Sequence, residues 1–338
     1  PINMNINIIR NIEIDWQVGN TKLNEILFDV EMIPLFGEIE ELSNPNLFEN
    51  DSSPKKIPAN GYKGLINKSN NNILGVVSSN YRLITNKEAL EMGKEIYNEI
   101  FEIKLDNLKV NKVITSSNKT FCHVDLVHPD VNFNVWEQDC WYPFIRVTNS
   151  YNKTYALSYE LGFVRKLCSN GVIFDKKTVK IKMMHNKGNH RINYKTDLNR
   201  FKTAKLSFIA KMLSLKKFFI PKDKHFPLIC KCLEIKMPKQ NRFSEIDEKI
   251  KDQIRKLKLD SYDLTNQYVD KDGETAYSLF NVITDLVSHQ EEYNNIPYYS
   301  LRPSSYSFKP TKWIEEFVNE IEKRTFDLEK YIGEYNNY

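Results

Sequence analysis

The sequence has few of the features from which cofactor and metal sites are built. Its 338 residues include only 11 glycines, and none of them lies in a glycine-rich phosphate loop. It has no His-Glu-x-x-His metal motif and no Gly-x-Ser-x-Gly nucleophile turn. The sequence therefore predicts no cofactor, and it favours a binding protein over an enzyme.

Cysteines and long apolar runs are also scarce. Five cysteines without a Cys-x-x-Cys pair indicate free thiols in a reducing compartment, and they disfavour a disulfide framework or a zinc site. No apolar run reaches the roughly 18 residues that a membrane helix needs. The first residues lack the pattern of a secretory signal. We therefore expect a cytoplasmic protein that has no membrane partner.

Charge is abundant but unevenly distributed beneath a net charge of +4. Residues 1–60 contain 4 Lys or Arg and 10 Asp or Glu, whereas residues 161–225 contain 17 and 3. Such a basic region can bind a polyanion. Part of it, residues 190–219, also has the apolar spacing of an amphipathic helix. Its lysines could therefore be the solvated side of that helix, face a second subunit, or contact a membrane surface, which a long basic stripe can also bind. The predicted apolar positions are Phe201, Ala204, Phe208, Met212, Leu215 and Phe219, widened by Leu206, Ile209 and Leu213.

The order of elements predicts an α+β fold, in which a central antiparallel sheet with a hairpin and a packed helix is followed by a mainly helical C-terminal region. Period-two alternation and turn residues place strands at 33–36, 62–66, 73–77, 110–115, 120–127, 141–148 and 154–159. Thr85 and Glu88 form a capping box that starts a helix over 86–101. We expect an acidic N-terminal segment at 1–60 with a loop at 43–56, an α+β core at 61–187 and the helical region at 188–338.

Several stretches together resemble one family. They are DWQV at 15–18, LGVVSSNYRLITNKEAL at 74–90, PFIRVTNSYNKTYALSYELGFVRKLCSNGVIF at 143–174, KIKMMHN at 180–186 and GETAYSLFNVITDLVSHQ at 273–290. In this order they resemble the phage- and plasmid-like family known as domain of unknown function 932. The resemblance implies an accessory protein of a mobile element inside a bacterial host cell. The order of hairpin, helix and sheet is similar to that of phage single-strand annealing proteins, an analogy that suggests work on DNA.

The sequence departs from the family at one informative place. Relatives usually have His-Asp-Gly after Thr-Asn-Ser, whereas this chain has Tyr151, Asn152 and Lys153. Chemistry or metal binding by that His-Asp pair is therefore not expected here, and a binding role is favoured over a catalytic one.

The basic and aromatic residues of the matched stretches predict a nucleic-acid site. Arg and Lys supply charge for phosphates, Asn can contact sugar or base edges, and tyrosines, including Tyr155, can stack on bases. Tyr81 and Arg82 precede a helix N-terminus, which favours a bound phosphate. The predicted contacts are Tyr81, Arg82, Arg146, Asn149, Tyr151, Arg165, Asn170, Lys180, Lys182, His185 and Arg191.

Structural roles for the same residues remain open. The asparagines could form turns, and Arg165 could pair with Glu160 or another carboxylate. Tyr81 could be packed while Arg82 is solvated. The sequence alone does not decide between these alternatives and a nucleic-acid site.

A metal site is considered at Cys122, His123, Asp125, His128 and Asp130. If this segment is a strand, His123 and Asp125 share one face while Cys122 and His128 point to the other. One ion cannot easily bind all of them, so no metal site is predicted.

Three functions follow from these observations. The first is a non-enzymatic protein, acting as a homo-oligomer, that binds and anneals single-stranded DNA in replication or recombination. The alternative is a counter-defence protein that binds and inhibits a bacterial immune effector, a host protein or ribonucleoprotein. The third is a metal-dependent nuclease that uses His123 and Asp125.

Overall fold

The computed structural model describes residues 21–39, 55–103, 107–136, 139–165, 171–173, 180–183, 194–235, 245–288 and 309–337. Within these ranges the chain has the predicted α+β fold, with antiparallel sheets followed by helices in the C-terminal half. Most of the loop predicted at 43–56 lies outside the described residues.

The first sheet has three antiparallel strands in the order β1 (Val30–Ile39), β2 (Lys55–Asn67) and β3 (Ile73–Ser78). The last two form the predicted hairpin. Its turn is stabilised by the side chain of Asn67, which accepts a hydrogen bond from the Ser69 N–H at 2.9 Å. β1 and the start of β2 precede residue 61, so part of the segment predicted at 1–60 belongs to this sheet.

Helix α1 (Asn86–Phe101) begins where the capping box predicts. The Thr85 hydroxyl accepts from the Glu88 N–H at 3.2 Å, and the Glu88 carboxylate accepts from the Thr85 N–H at 2.7 Å. Gly93 allows the helix to approach the second sheet closely, because a Cβ at this position would lie 2.5 Å from a methyl carbon of Val147.

The second sheet has seven strands, and its main path runs in the order β10-β8-β7-β5-β4. They are β4 (Lys109–Thr115), β5 (Phe121–Val127), β6 (Phe133–Asn134), β7 (Cys140–Ser150), β8 (Leu157–Arg165), β9 (Gly171–Ile173) and β10 (Lys180–Met183). β6 pairs with β7, and β9 pairs with β8. The strand predicted at 154–159 begins later, at Leu157, because residues 151–155 form the turn after β7.

The two faces of this sheet differ in chemistry. One face contributes apolar side chains to the main core, including Val124, Ile145, Val147, Leu161 and Phe163. The other face carries a small apolar cluster, with Phe144 at its centre, beside a set of polar and charged side chains. The polar set is His123, Asp125, Arg146, Thr148, Ser158 and Glu160. Successive residues of a strand point to opposite faces, which explains the alternation in the sequence. Both sets of side chains are buried.

The C-terminal helices pack on the apolar face. They are α2 (Tyr194–Lys217), α3 (His225–Cys232), α4 (Glu245–Asp272), α5 (Ala276–Ser288), α6 (Lys309–Ile321) and α7 (Leu328–Ile332), with short 3-10 turns at Lys222–Lys224 and Gly333–Asn337. Phe208 of α2 stacks on Phe163 with the ring centres 4.7 Å apart and contacts Trp141 edge to face at 4.9 Å. Sheet and helices therefore share one hydrophobic core.

The amphipathic helix predicted at 190–219 corresponds to α2, but its buried stripe is narrower than predicted. Its buried positions are Phe201, Ala204, Phe208, Met212 and Leu215. Leu206 is 69% exposed and Leu213 38% exposed, because the helical repeat turns both away from the buried side of the helix. Phe219 lies beyond the end of the helix and is 62% exposed.

The contact between α2 and the sheet predicts a large difference between two substitutions on the same helix. Phe208→Ala should lower the free energy of unfolding by about 3–5 kcal/mol, because it leaves a cavity beside Phe163 and Trp141. Leu206→Ala removes an exposed side chain and should change it by less than about 0.5 kcal/mol. Urea unfolding measures both, and equally small effects would contradict the packing of α2 on the sheet.

Candidate nucleic-acid interface

Tyr81, Asn149 and Tyr151 lie inside the protein beside the start of α1. Tyr151 is fully buried, and its hydroxyl accepts from the Asn86 N–H at 2.9 Å. The Asn149 side-chain nitrogen donates to the side-chain oxygen of Asn86 at 2.9 Å and to the carbonyl of Ile84 at 3.0 Å. Burial raises the pKa of Tyr81 to about 12. The structure corrects the prediction for these three residues, which position the helix and are not available to a nucleic acid.

The start of α1 offers little to a phosphate. A helix N-terminus binds anions through free backbone N–H groups. Here the N–H of Asn86 donates to Tyr151, and the N–H of Glu88 donates to Thr85. Arg82 is exposed as the alternative interpretation expects. A phosphate at this place would depend mainly on Arg82.

Arg146 forms a buried ion pair on the polar face of the seven-stranded sheet. It is 5% exposed, and its Nε and Nη2 donate to the two carboxylate oxygens of Asp125 at 2.6 and 2.7 Å. The strand register places Lys112, Asp125, Arg146, Glu160 and Lys180 opposite one another in that order, with alternating charge. Opposite charges on neighbouring strands stabilise such a row. The prediction that Arg146 contacts phosphate is therefore corrected.

The residues considered as metal ligands are divided between the two faces, as the sequence predicts. His123 lies on the polar face with Asp125, and its Nδ1 is 2.8 Å from the hydroxyl oxygen of Thr148. Cys122 lies in the main core, where burial raises the pKa of its thiol to about 12. Among the described residues, no three His, Cys, Asp or Glu side chains are grouped so that they could hold a metal ion.

Arg165 joins the sheet to the C-terminal helices. It is 1% exposed, its Nε donates to Asp139 at 2.5 Å, and its Nη2 lies 3.7 Å from a carboxylate oxygen of Asp272. The Tyr277 hydroxyl and the Trp141 indole N–H also donate to Asp139. Burial raises the pKa of Asp272, and the charge of Arg165 opposes that shift. The interpretation that Arg165 pairs with a carboxylate is confirmed, and its predicted nucleic-acid contact is corrected.

The remaining predicted residues do not complete one surface. Lys182 is exposed on β10, and Lys180 lies on the same strand opposite Glu160. Asn170, His185 and Arg191 lie outside the described residues. Arg82 and Lys182 are thus two exposed members of the predicted set.

Several lysines of α2 contact other parts of the same chain. The Lys202 ammonium is 2.7 Å from a carboxylate oxygen of Glu102, and the Lys216 ammonium is 3.9 Å from the centre of the Trp136 ring. These contacts favour the interpretation that the lysines are the solvated side of α2 and that they hold α2 against the rest of the chain.

A groove in the helical region combines charged side chains with aromatic rings. It lies between the turn at Lys222–Lys224 with α3 on one side and α4 on the other, and it encloses about 600 Å³. Its walls include Lys222, Phe226, Lys258 and Tyr262, and we call it the α3–α4 groove. The Lys222 ammonium is 5.9 Å from the centre of the Tyr262 ring, and the Lys258 ammonium is 5.4 Å from that of Phe226. A cavity of this size can hold one small organic ligand.

The deep part of the groove contains a neutral histidine. His225 is 1% exposed, and neither ring nitrogen has a hydrogen-bond partner of normal geometry among the described residues. Burial lowers the pKa of His225 to about 4, and the Ile220 backbone opposes this shift in part. Each unpaired buried polar group costs about 1–3 kcal/mol, and a hydrogen-bonding ligand would remove that cost.

Positive charge continues from the groove along one face of α4. Lys251, Arg255, Lys258 and Tyr262 follow at intervals of three or four residues, so they share a helix face over about 16 Å. We call these four residues the α4 track. Arg255 and Tyr262 are 71% and 62% exposed. The exposed ion pair between Arg255 and Asp252 contributes little to stability, so a phosphate can replace its carboxylate.

The sequence interpretation missed the α4 track and the groove. Helical spacing of Lys251, Arg255, Lys258 and Tyr262 is visible in the sequence and could have identified the track. The opposite wall at Phe226 comes from another helix, and no local pattern links the two walls.

The structure is an α+β protein whose helices cover one face of an antiparallel sheet and carry a groove lined by charged and aromatic side chains. The chain belongs to the family described as Domain of unknown function (DUF932), whose model matches residues 73–319. The matched region includes the seven-stranded sheet and the α3–α4 groove. No curated protein and no solved structure matches the chain. No helix within the described ranges has both the length and the apolar character needed to cross a membrane.

The buried ion pair on the sheet predicts that Arg146 is required for stability. Arg146→Met leaves the Asp125 carboxylate buried without its main partner and should lower the free energy of unfolding by about 3–5 kcal/mol. Lys182→Met removes an exposed charge and should change it by less than about 0.5 kcal/mol. If denaturant unfolding shows the same stability for both variants, the buried pair is contradicted.

The neutral histidine predicts a loss of stability in acid. The pKa of His225 is about 4 in the folded chain, whereas the ordinary value of 6.5 applies to the unfolded chain. Between pH 4 and pH 6.5 the unfolded state therefore binds more protons than the folded state. Stability should therefore fall as the pH falls through this window, by about 2 kcal/mol from His225 alone between pH 7 and pH 5.

Unfolding of the natural protein and of His225→Gln at both pH values measures this contribution. The variant should lose about 2 kcal/mol less than the natural protein. Equal acid sensitivity of the two proteins would contradict a buried neutral His225.

Proposed function

We propose that this protein binds single-stranded nucleic acid, with single-stranded DNA favoured, and that it does so without catalysing a reaction. The observation that carries the proposal is the α4 track, in which basic side chains lead to an exposed tyrosine at the α3–α4 groove. Proteins that bind single strands commonly combine a basic path for the backbone with aromatic side chains for the bases.

The basic residues of the track would bind the sugar-phosphate backbone. Lys251, Arg255 and Lys258 present positive charge along one helix face, and Arg255 can donate two parallel hydrogen bonds to one phosphate. Binding by such contacts releases counterions, so the affinity should fall steeply as salt increases.

The aromatic residues would bind the bases. Tyr262 is 62% exposed, so one face of its ring can stack on a base, and Phe226 lies on the opposite wall of the groove. Stacking contributes about 1–3 kcal/mol per base and requires a base that is unpaired. This requirement favours a single strand over a duplex.

A protein with these contacts would present the strand for pairing without nucleotide hydrolysis. We place this annealing activity in the replication or recombination of a phage or plasmid, where homo-oligomers would hold longer strands. That setting rests on the resemblance of the sequence to phage- and plasmid-like proteins and on the analogy with annealing proteins.

Charge reversal on the track tests the proposal. Fluorescence anisotropy with labelled single-stranded and double-stranded oligonucleotides should show salt-sensitive binding that favours the single strand. The double variant Arg255→Glu with Lys258→Glu should weaken that binding by about tenfold or more at low salt and reduce its salt dependence. The matched control is Lys312→Glu with Lys323→Glu, which changes the net charge equally at exposed positions near the two ends of α6.

Two results would contradict the proposal. One is the absence of salt-sensitive binding to any oligonucleotide, which would move the search to a host protein or ribonucleoprotein. The other is an equal loss of affinity in both double variants, because that would reflect total charge and not the α4 track.

A further inference from the structure

The α3–α4 groove changes in character from its mouth to its deep part. At the mouth, Tyr262 is 62% exposed and belongs to the basic α4 track. In the deep part, Ser261, Thr265 and His225 are all at most 3% exposed. The side chains of these three residues can form hydrogen bonds and carry no charge, except that His225 becomes charged when acid protonates it. The two ends of the groove therefore suit different parts of a ligand.

The charges at the groove disfavour a phosphate in its deep part. Lys222 and Lys258 are accompanied by Asp223 and Glu274, so the formal charge of the wall is balanced. Glu274 is held in place because its carboxylate accepts from the Lys222 N–H at 3.0 Å. A ligand group in the deep part should therefore be neutral and carry both donors and acceptors.

The hydrogen-bonding capacity of His225 specifies that group further. A neutral imidazole has one N–H donor and one acceptor nitrogen. The Ile220 backbone lies close enough to one ring nitrogen of His225 to raise its pKa, so the other nitrogen is the group left for a ligand. The ring of Phe226 provides an apolar surface in the same groove. A flat aromatic ring with donors and acceptors on its edge satisfies both features, and a nucleobase has this structure.

We propose that the deep part of the α3–α4 groove is a subsite for one unstacked nucleobase, whose edge is hydrogen-bonded by His225 while its sugar and phosphate remain at the α4 track. The inference rests on the proposed function, because the base in the subsite would come from the bound single strand. A free nucleoside monophosphate would bring the same chemistry, and the experiment separates the two sources.

The subsite predicts that binding depends on the identity of the base. Bases differ in the order of donors and acceptors on their edges, so His225 can satisfy some edges and not others. A base whose edge does not match leaves buried polar groups without hydrogen bonds, and its affinity is therefore lower. We expect a difference of about tenfold between the best and the worst base.

The test measures competition by unlabelled ligands for a labelled single strand. The competitors are homopolymers of each of the four deoxynucleotides, one strand of abasic sites, and the four free nucleoside monophosphates. The natural protein is compared with His225→Phe, which keeps an aromatic ring but removes both nitrogens. Thr265→Val, which loses a buried hydroxyl with little change of shape, is a second variant if His225→Phe does not fold.

Base discrimination of about tenfold that disappears in His225→Phe or Thr265→Val, with overall strand binding retained, supports the subsite. Binding of free monophosphates that depends on His225, without binding of any strand, also supports the subsite and contradicts the proposed function. Equal binding of all homopolymers and of the abasic strand, unchanged in the variants, overturns the subsite while the proposed function stands. If neither strands nor monophosphates bind, both are overturned.

Discussion

The guanidinium of Arg165 holds the sheet and the helices together, and the candidate interface depends on it. Arg165 is the last residue of β8, and it contacts Asp139 before β7 and Asp272 at the end of α4. Buried charges are tolerated only when they are paired, so these three residues restrict where α4 can lie relative to the sheet. The α3–α4 groove and the α4 track are built on that helix. A buried ion pair that does not line the groove thus contributes to the groove's geometry.

Local elements of the fold could be predicted from the sequence because they depend on short-range chemistry. The capping box at Thr85 and Glu88 sets the start of α1. Alternation of polar and apolar residues locates the strands of the second sheet, since it follows directly from strand geometry. The same alternation misleads about exposure, because both faces of this sheet are buried. Polar residues such as Arg146 and Thr148 therefore have the spacing of solvent-facing residues although they lie inside the protein.

The binding site was harder to predict because residue type does not determine burial. Arg146, Asn149, Tyr151 and Arg165 have the chemistry that nucleic acids require, but each satisfies a partner inside the fold. The α3–α4 groove presents the opposite case. Its residues do not stand out in the sequence, and they form a cavity only when α3 and α4 pack together. Two lysines, two aromatic rings and a buried histidine then meet in one cavity. Only the half of this arrangement on α4 could have been found from helical spacing.

Photochemical crosslinking can show whether a single strand binds at this groove. A single-stranded oligonucleotide that contains iodinated deoxyuridine is bound to the protein and irradiated, and the modified residues are located by mass spectrometry of peptides. Binding at the groove should give adducts on Tyr262 or Phe226, which lie on opposite walls of the groove. Adducts confined to peptides outside α3 and α4 would contradict it.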